Sequence, residues 1–182
     1  MDIGLKIAEV AAKYIGKTEK PGNSGFNDAE FEKKMITVGW LKGQAWCAYF
    51  FELVWKEVYS AIKPGFIADL NKLFAAGALQ TLNNFKAAGY PVSKEPVPGA
   101  LAIYQHGKGW QGHACIVEKV SANKKDFGTI EGNTNDAGGR EGYIVARKTR
   151  YALFDTNYAS GLNLIGFIHP KYFTDEELHK IA

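Results

Sequence analysis

Cysteine is scarce in this chain: Cys47 and Cys115 are the only two among 182 residues. Two thiols make neither a disulfide framework nor a metal quartet, and no Cys-x-x-Cys redox pair occurs. One bridge could join them, but a chain of this length buries enough core not to need it. Long apolar runs are also missing, and no window reaches the roughly 20 residues of a membrane-spanning helix. The opening MDIGLKIAEVAAKYIG is not a secretory signal. Asp2 stands where a basic region belongs, Lys6, Glu9 and Lys13 interrupt the apolar residues, and no cleavage site follows. The expectation is a protein that is cytoplasmic on synthesis and reaches any outside target by separate delivery. Charge of one sign is weak too. A net +3, with no basic cluster denser than Lys124-Lys125 or Arg147-Lys148, leaves no nucleic-acid footprint, though it is compatible with an anionic polymer as substrate. Internal repeats and linkers are absent, so residues 1–182 read as a single domain.

What is present is ordinary for a globular protein, with 46% apolar and 23% charged residues. Residues 3–15 have helical periodicity, with Ile3, Ile7, Val10, Ala11 and Tyr14 on one face, and stop at Gly16. KPGNSG at 20–25 is a loop. Asn27 is placed to cap a second helix running to about Val38. A third helix spans 46–62, where Cys47, Phe50, Phe51, Val54 and Val58 share a face. More helix fills 67–88, broken near Gly77. The proline-punctuated YPVSKEPVPGA then ends the helical half at about residue 90. Short β-rich runs follow at 100–105, 113–120, 127–131, 143–150 and 162–168, and a short helix at 174–181 closes the chain. Helices first and strands second predict an α+β fold, with N-terminal helices packed on a C-terminal antiparallel sheet.

YIGKT at 14–18 imitates the end of a phosphate-binding loop, but Ala11 replaces the required first glycine and a helix precedes it. GNTNDAGGRE at 132–141 imitates a calcium loop without the oxygen spacing, and reads as a polar turn. Cys47 is the better signal. A thiol in the first turn of a helix feels the positive end of the macrodipole, which favours the nucleophilic thiolate. Gly43 and the turn before the helix would leave N–H groups for an oxyanion. Of four histidines only His113 heads a strand in the sheet half, and it is the base such a thiol requires. Glu131 ends the next strand, and alternation puts Asn133 on the same face of an extended chain. Each residue taken singly has a structural explanation: a core cysteine, a half-buried histidine, a strand end. Cys115, on His113's strand, fits a small core position. The ordered set is what points to chemistry.

That set resembles the CHAP domain, the cysteine- and histidine-dependent amidohydrolase/peptidase within the papain-like NlpC/P60 group. Sixty-six residues separate Cys47 from His113, eighteen more reach Glu131 and two more Asn133, a spacing similar to that family's. AAKYIGKTEKPGNSGFND looks like the opening of phage and prophage endolysin members, and AWCAYFFELVW like their Trp-Cys-Ala helix. EPVPGALAIY is similar to their Pro-Gly-Asp strand entry, with Ala100 where Asp is usual. GHACIVEKV and IEGNTN complete the likeness, which runs from about residue 4 to 168.

The resemblance implies peptidoglycan hydrolysis, at the N-acetylmuramoyl-L-alanine amide or at a stem or cross-bridge peptide bond. It makes Cys47 the nucleophile, His113 the general base, Glu131 the residue that orients the imidazole and Asn133 a supporting polar group. Gln44 is a candidate for the oxyanion hole, and Trp46 and Trp110 for lining the groove, with a core position the equal reading of Trp46. Some members bind calcium just before the nucleophile. Here GWLKGQAW at 39–46 carries no carboxylate, so no metal and no cofactor is expected. No separate wall-binding domain is expected after the sheet, so targeting is expected to fall to the groove or to a partner: a holin, a phage tail or a secretion system. The chain is expected to act as a monomer without membrane insertion. Two other readings share the fold: a virion or secretion-apparatus component that binds wall, and an acyltransferase or deamidase acting on protein.

Overall fold

The computed structural model describes residues 2–135 and 142–179. Helix α1 (Ile3–Ala12) starts where the Asp2 carboxylate accepts the Leu5 N–H, and it buries Ile3, Ile7, Val10 and Ala11. Helix α2 (Ala29–Thr37) is capped by Asp28, whose carboxylate accepts the Phe31 N–H at 2.8 Å. The expected cap, Asn27, is instead drawn back to the preceding loop, where its amide donates to the Thr18 hydroxyl. Helix α3 (Cys47–Ile62) is the longest, and every residue from Cys47 to Trp55 is buried. That stretch is apolar but for Glu52, which pairs with Lys56, and such a segment belongs inside a domain. It packs on α1, α2 and the sheet, and Trp55 donates its indole N–H to the Gly99 carbonyl. Helices α4 (Ile67–Leu73) and α5 (Ala78–Ala87) complete this half, and α6 (Asp175–His179) lies near the end of the chain. The expected extent of α6 included 180 and 181, which lie outside the described residues.

Among the described residues six strands form one sheet: β1 (Val92–Ser93), β2 (Leu101–His106), β3 (Gly112–Val120), β4 (Asp126–Thr134), β5 (Ile144–Tyr151) and β6 (Leu162–Ile168). Their order is β1-β6-β2-β3-β4-β5, with antiparallel pairing throughout. The two-residue β1 was not anticipated, being too short to leave a pattern. Alternation along the strands builds two cores. Leu101, Ile103, Ala114, Ile116 and Ile130 pack with the helices. Ala102, Tyr104, Cys115, Val117, Phe127 and Phe167 pack on the other face, beneath Ala152 and Phe154. Outside β5, Gly16 and Glu19 donate to the Val145 and Tyr143 carbonyls at 2.9 and 2.8 Å, so residues 16–19 strap the first half of that edge strand. Among the described residues no helix is long and apolar enough to cross a membrane.

Candidate active site

Cys47 is the first residue of α3, and its side chain meets His113 on β3. Trp46, at the N-cap, makes no side-chain capping hydrogen bond to the first-turn N–H groups. The Ala48 N–H and the Ala114 N–H of β3 both act on the sulfur. Burial works against thiolate, but the His113 hydrogen bond and charge, with these two amides, outweigh it and hold the Cys47 thiol below its ordinary value.

His113 Nε2 lies 2.9 Å from Glu131 Oε2 across the β3–β4 pair. This leaves Nδ1 as the ring nitrogen for the thiol. Burial disfavours the imidazolium, yet its bonds to Cys47 and Glu131 prevail and push its pKa up to about 10. Glu131 has no exposed side-chain surface, a costly place for a carboxylate unless every lone pair is used. All are used here. Oε1 accepts from Arg150 Nε at 2.8 Å and from the Thr129 hydroxyl at 2.6 Å, and Oε2 accepts from Arg150 Nη2 at 2.6 Å as well as from His113. Burial would raise the Glu131 pKa, but His113 and Arg150 hold it far below the usual carboxylate range. Thr129 and Arg150 were missed by sequence reasoning. Thr129 could have been found two residues before Glu131 on the same strand face, whereas Arg150 depends on the β4–β5 register.

The other expected site residues fare differently. Asn133 does not continue an extended strand: a β-bulge falls between Glu131 and Thr134, and Asn133 has φ 53°. Among the described residues no hydrogen bond joins it to His113 or Glu131, so the shared face that alternation implied is lost. The Gly43 N–H is not free for an oxyanion, because it donates to the Asn23 carbonyl, and the Gln44 N–H donates to that of Leu41. The Gln44 carboxamide oxygen accepts from the Leu41 N–H and the Tyr49 hydroxyl, closing the turn that leads into α3. Trp46 does not line a groove. Its ring is fully buried against Phe26, Phe31 and Phe50, and its N–H donates to Glu19, because residues 16–27 fold beneath it. Trp110 is 85% exposed in the turn before β3. Cys115 is buried, with its thiol pKa raised by burial and by Glu131. The polar turn read at 132–141 extends over 136–141, outside the described residues. Among the described residues no three His, Cys, Asp or Glu side chains gather as a metal site would require.

A thiol at an open helix N-terminus, an imidazole against it and a buried carboxylate behind the imidazole together have the means for acyl transfer through a thioester. Helices followed by an antiparallel sheet, with the thiol on a helix and the imidazole on a strand, define the class: a papain-like α+β protein. The family model of the CHAP domain matches residues 39–133, a little over half the chain, and the chain belongs to that family. CHAP domains are typically hydrolases that act on peptidoglycan. No curated protein and no solved structure matches the chain.

Proposed function

We propose that this chain is a cysteine amidase or endopeptidase that cuts an amide bond of peptidoglycan. The reading rests above all on the connected contacts from Cys47 through His113 to Glu131, beginning at an uncapped helix N-terminus. In this mechanism the Cys47 thiolate attacks the amide carbonyl, and the oxyanion is met by N–H groups of the first turn of α3. The His113 imidazolium gives its proton to the departing amine as the C–N bond breaks. His113, now neutral, takes a proton from water, whose oxygen attacks the thioester and releases the carboxylic acid and the thiolate. Glu131 fixes the imidazole and stabilises its cation, remaining ionised throughout. Trp110, standing in solvent three residues before His113, offers a stacking surface for the glycan or stem peptide.

Zymography on purified peptidoglycan, with and without EDTA, tests the reading. The wild type clears the gel in both conditions and Cys47→Ser in neither. Mass analysis of the products assigns the bond, since an amidase frees the amine of L-alanine and an endopeptidase an amine within the stem or cross-bridge. Failure of the folded wild type to clear, leaving it equal to Cys47→Ser, would reject hydrolysis of the wall.

A further inference from the structure

Arg150 lies on β5, outside the segment matched by the family model. In the β4–β5 register it stands opposite Phe127, and Glu131 stands opposite Ala146. The Arg150 side chain therefore runs along the sheet past Lys148 to reach the carboxylate, crossing the Tyr104 ring with its guanidinium carbon 5.6 Å from the centroid. Lys148, opposite Thr129, is nearer in register, yet the contact is made by Arg150. The chemistry explains the choice. A guanidinium presents two parallel donors in a fixed plane, whereas an ammonium is a point charge that leaves a carboxylate free to turn.

We propose that Arg150 is a positioning residue for this centre: its guanidinium fork locks the Glu131 carboxylate in the orientation that holds the His113 imidazole against the Cys47 thiol. The fork engages one oxygen of each kind. Nε takes Oε1, which Thr129 shares, and Nη2 takes Oε2, which His113 shares. With both oxygens tied, Glu131 cannot rotate away from His113 without breaking two charge-assisted bonds. The charged and titratable groups facing this arrangement are Cys47 and His113 on one side and Arg150, Cys115 and Tyr104 on the other. Cys115 and Tyr104 are pushed toward their neutral forms by burial, so Arg150 and His113 are the cations that serve Glu131.

The proposal deepens the hydrolase reading above, but its main test needs no substrate. The rate of Cys47 alkylation by iodoacetamide is followed across pH in wild type, Arg150→Met, Arg150→Lys and Glu131→Gln. Removing a positive charge would by itself raise the thiol pKa and move the limb the same way as lost orientation, so Arg150→Lys, which keeps the charge and loses the fork, separates the two. Arg150→Met should move the acid limb to higher pH and slow alkylation at pH 6 by roughly 10-fold or more, the scale of losing an outer partner of a functional ligand. Arg150→Lys, with charge kept and fork lost, should move it the same way by less. The double variant Glu131→Gln/Arg150→Met should be no slower than Glu131→Gln, because both act through one group. On peptidoglycan, kcat should fall with KM little changed. An acid limb that stays in place or moves to lower pH in Arg150→Met overturns the proposal, as does a wild-type profile in folded Arg150→Lys, which also decides the matter if Arg150→Met does not fold. A higher KM with an unmoved profile would make Arg150 a substrate contact instead. If wild type fails to cut peptidoglycan while these profiles shift as stated, the hydrolase reading falls and the positioning role stands.

Discussion

Replacing Glu131 by glutamine tests how the buried charges support one another. The carboxylate accepts four hydrogen bonds, two from Arg150 and one each from Thr129 and His113. A carboxamide keeps one acceptor oxygen and turns an NH2 group toward donors. Arg150, only 26% exposed at its side chain, then lacks a counter-charge. Breaking a buried pair in this way costs about 3–5 kcal/mol. For a domain of this size that is a fall in Tm of roughly 6–20 °C, at about 2–4 °C per kcal/mol. The pH dependence carries the sharper signature. Glu131 has a depressed pKa in the fold, so its stabilisation is complete above its unfolded pKa of about 4.3 and is lost as pH falls through the folded value. His113 has a raised one, so its stabilisation is complete below about 6.5 and is lost as pH rises toward about 10. The variant forfeits the first and part of the second. The gap in Tm between wild type and Glu131→Gln should therefore be widest between about pH 5 and 6.5, and should narrow on either side. Thermal melts by circular dichroism from acid to alkaline pH measure it. A gap under about 2 °C, or one constant with pH, would refute the coupling.

Cys47→Ser and His113→Ala should each lose nearly all turnover, Cys47→Ser while melting close to wild type and His113→Ala while melting lower, because it removes a partner of the buried Glu131 carboxylate. Iodoacetamide should alkylate wild-type Cys47 at pH 6, where an ordinary thiol of pKa about 8.5 is about 0.3% ionised, and His113→Ala should return it to ordinary behaviour. The gain in rate will be smaller than the gain in thiolate, since each tenfold rise in ionisation lowers intrinsic nucleophilicity about threefold. Gly132→Ala would bring a Cβ within 2.6 Å of Phe50 Cβ and 2.8 Å of the Trp46 ring, wedging β4 from α3. Urea unfolding should show a loss of about 1–3 kcal/mol, and wild-type stability would mean that the contact yields without cost. Cys115→Ala should keep most activity and lose roughly 1 kcal/mol, with Cys115 labelled only after denaturation; loss of turnover in a folded variant would expose a functional thiol.

Periodicity along single segments carried much of this architecture. The apolar faces of α1 and α3 and the five longer strands are local patterns, and the placement of Cys47 and His113 follows from them. Features that depend on partners were not legible. Arg150 and Thr129 converge on Glu131 only through sheet register, and a register cannot be read from one strand. Groove and core stood as equal readings of Trp46 because nothing near it in sequence reveals that residues 16–27 pass underneath. The Gly43 N–H looked free because its acceptor, Asn23, lies on a separate loop. Asn133 was aligned with Glu131 by counting in twos, which a bulge defeats. The choice of Asp28 over Asn27 as helix cap turned on which side chain the loop had already engaged.

The strap along β5 has a consequence for how copies of this protein behave in a crowd. An open strand edge invites the edge of another molecule, and natural proteins blunt such edges with short strands, cover or cationic side chains. Here β1, at one end of the sheet, is only two residues long, and residues 16–19 cover the first half of β5 at the other. The second half lies in the run ARKTRY, where Arg147, Lys148 and Arg150 stand along the strand. Arg147 is paired with Glu118 and Arg150 with Glu131, so it is Lys148 that adds cationic cover to the stretch the strap leaves open.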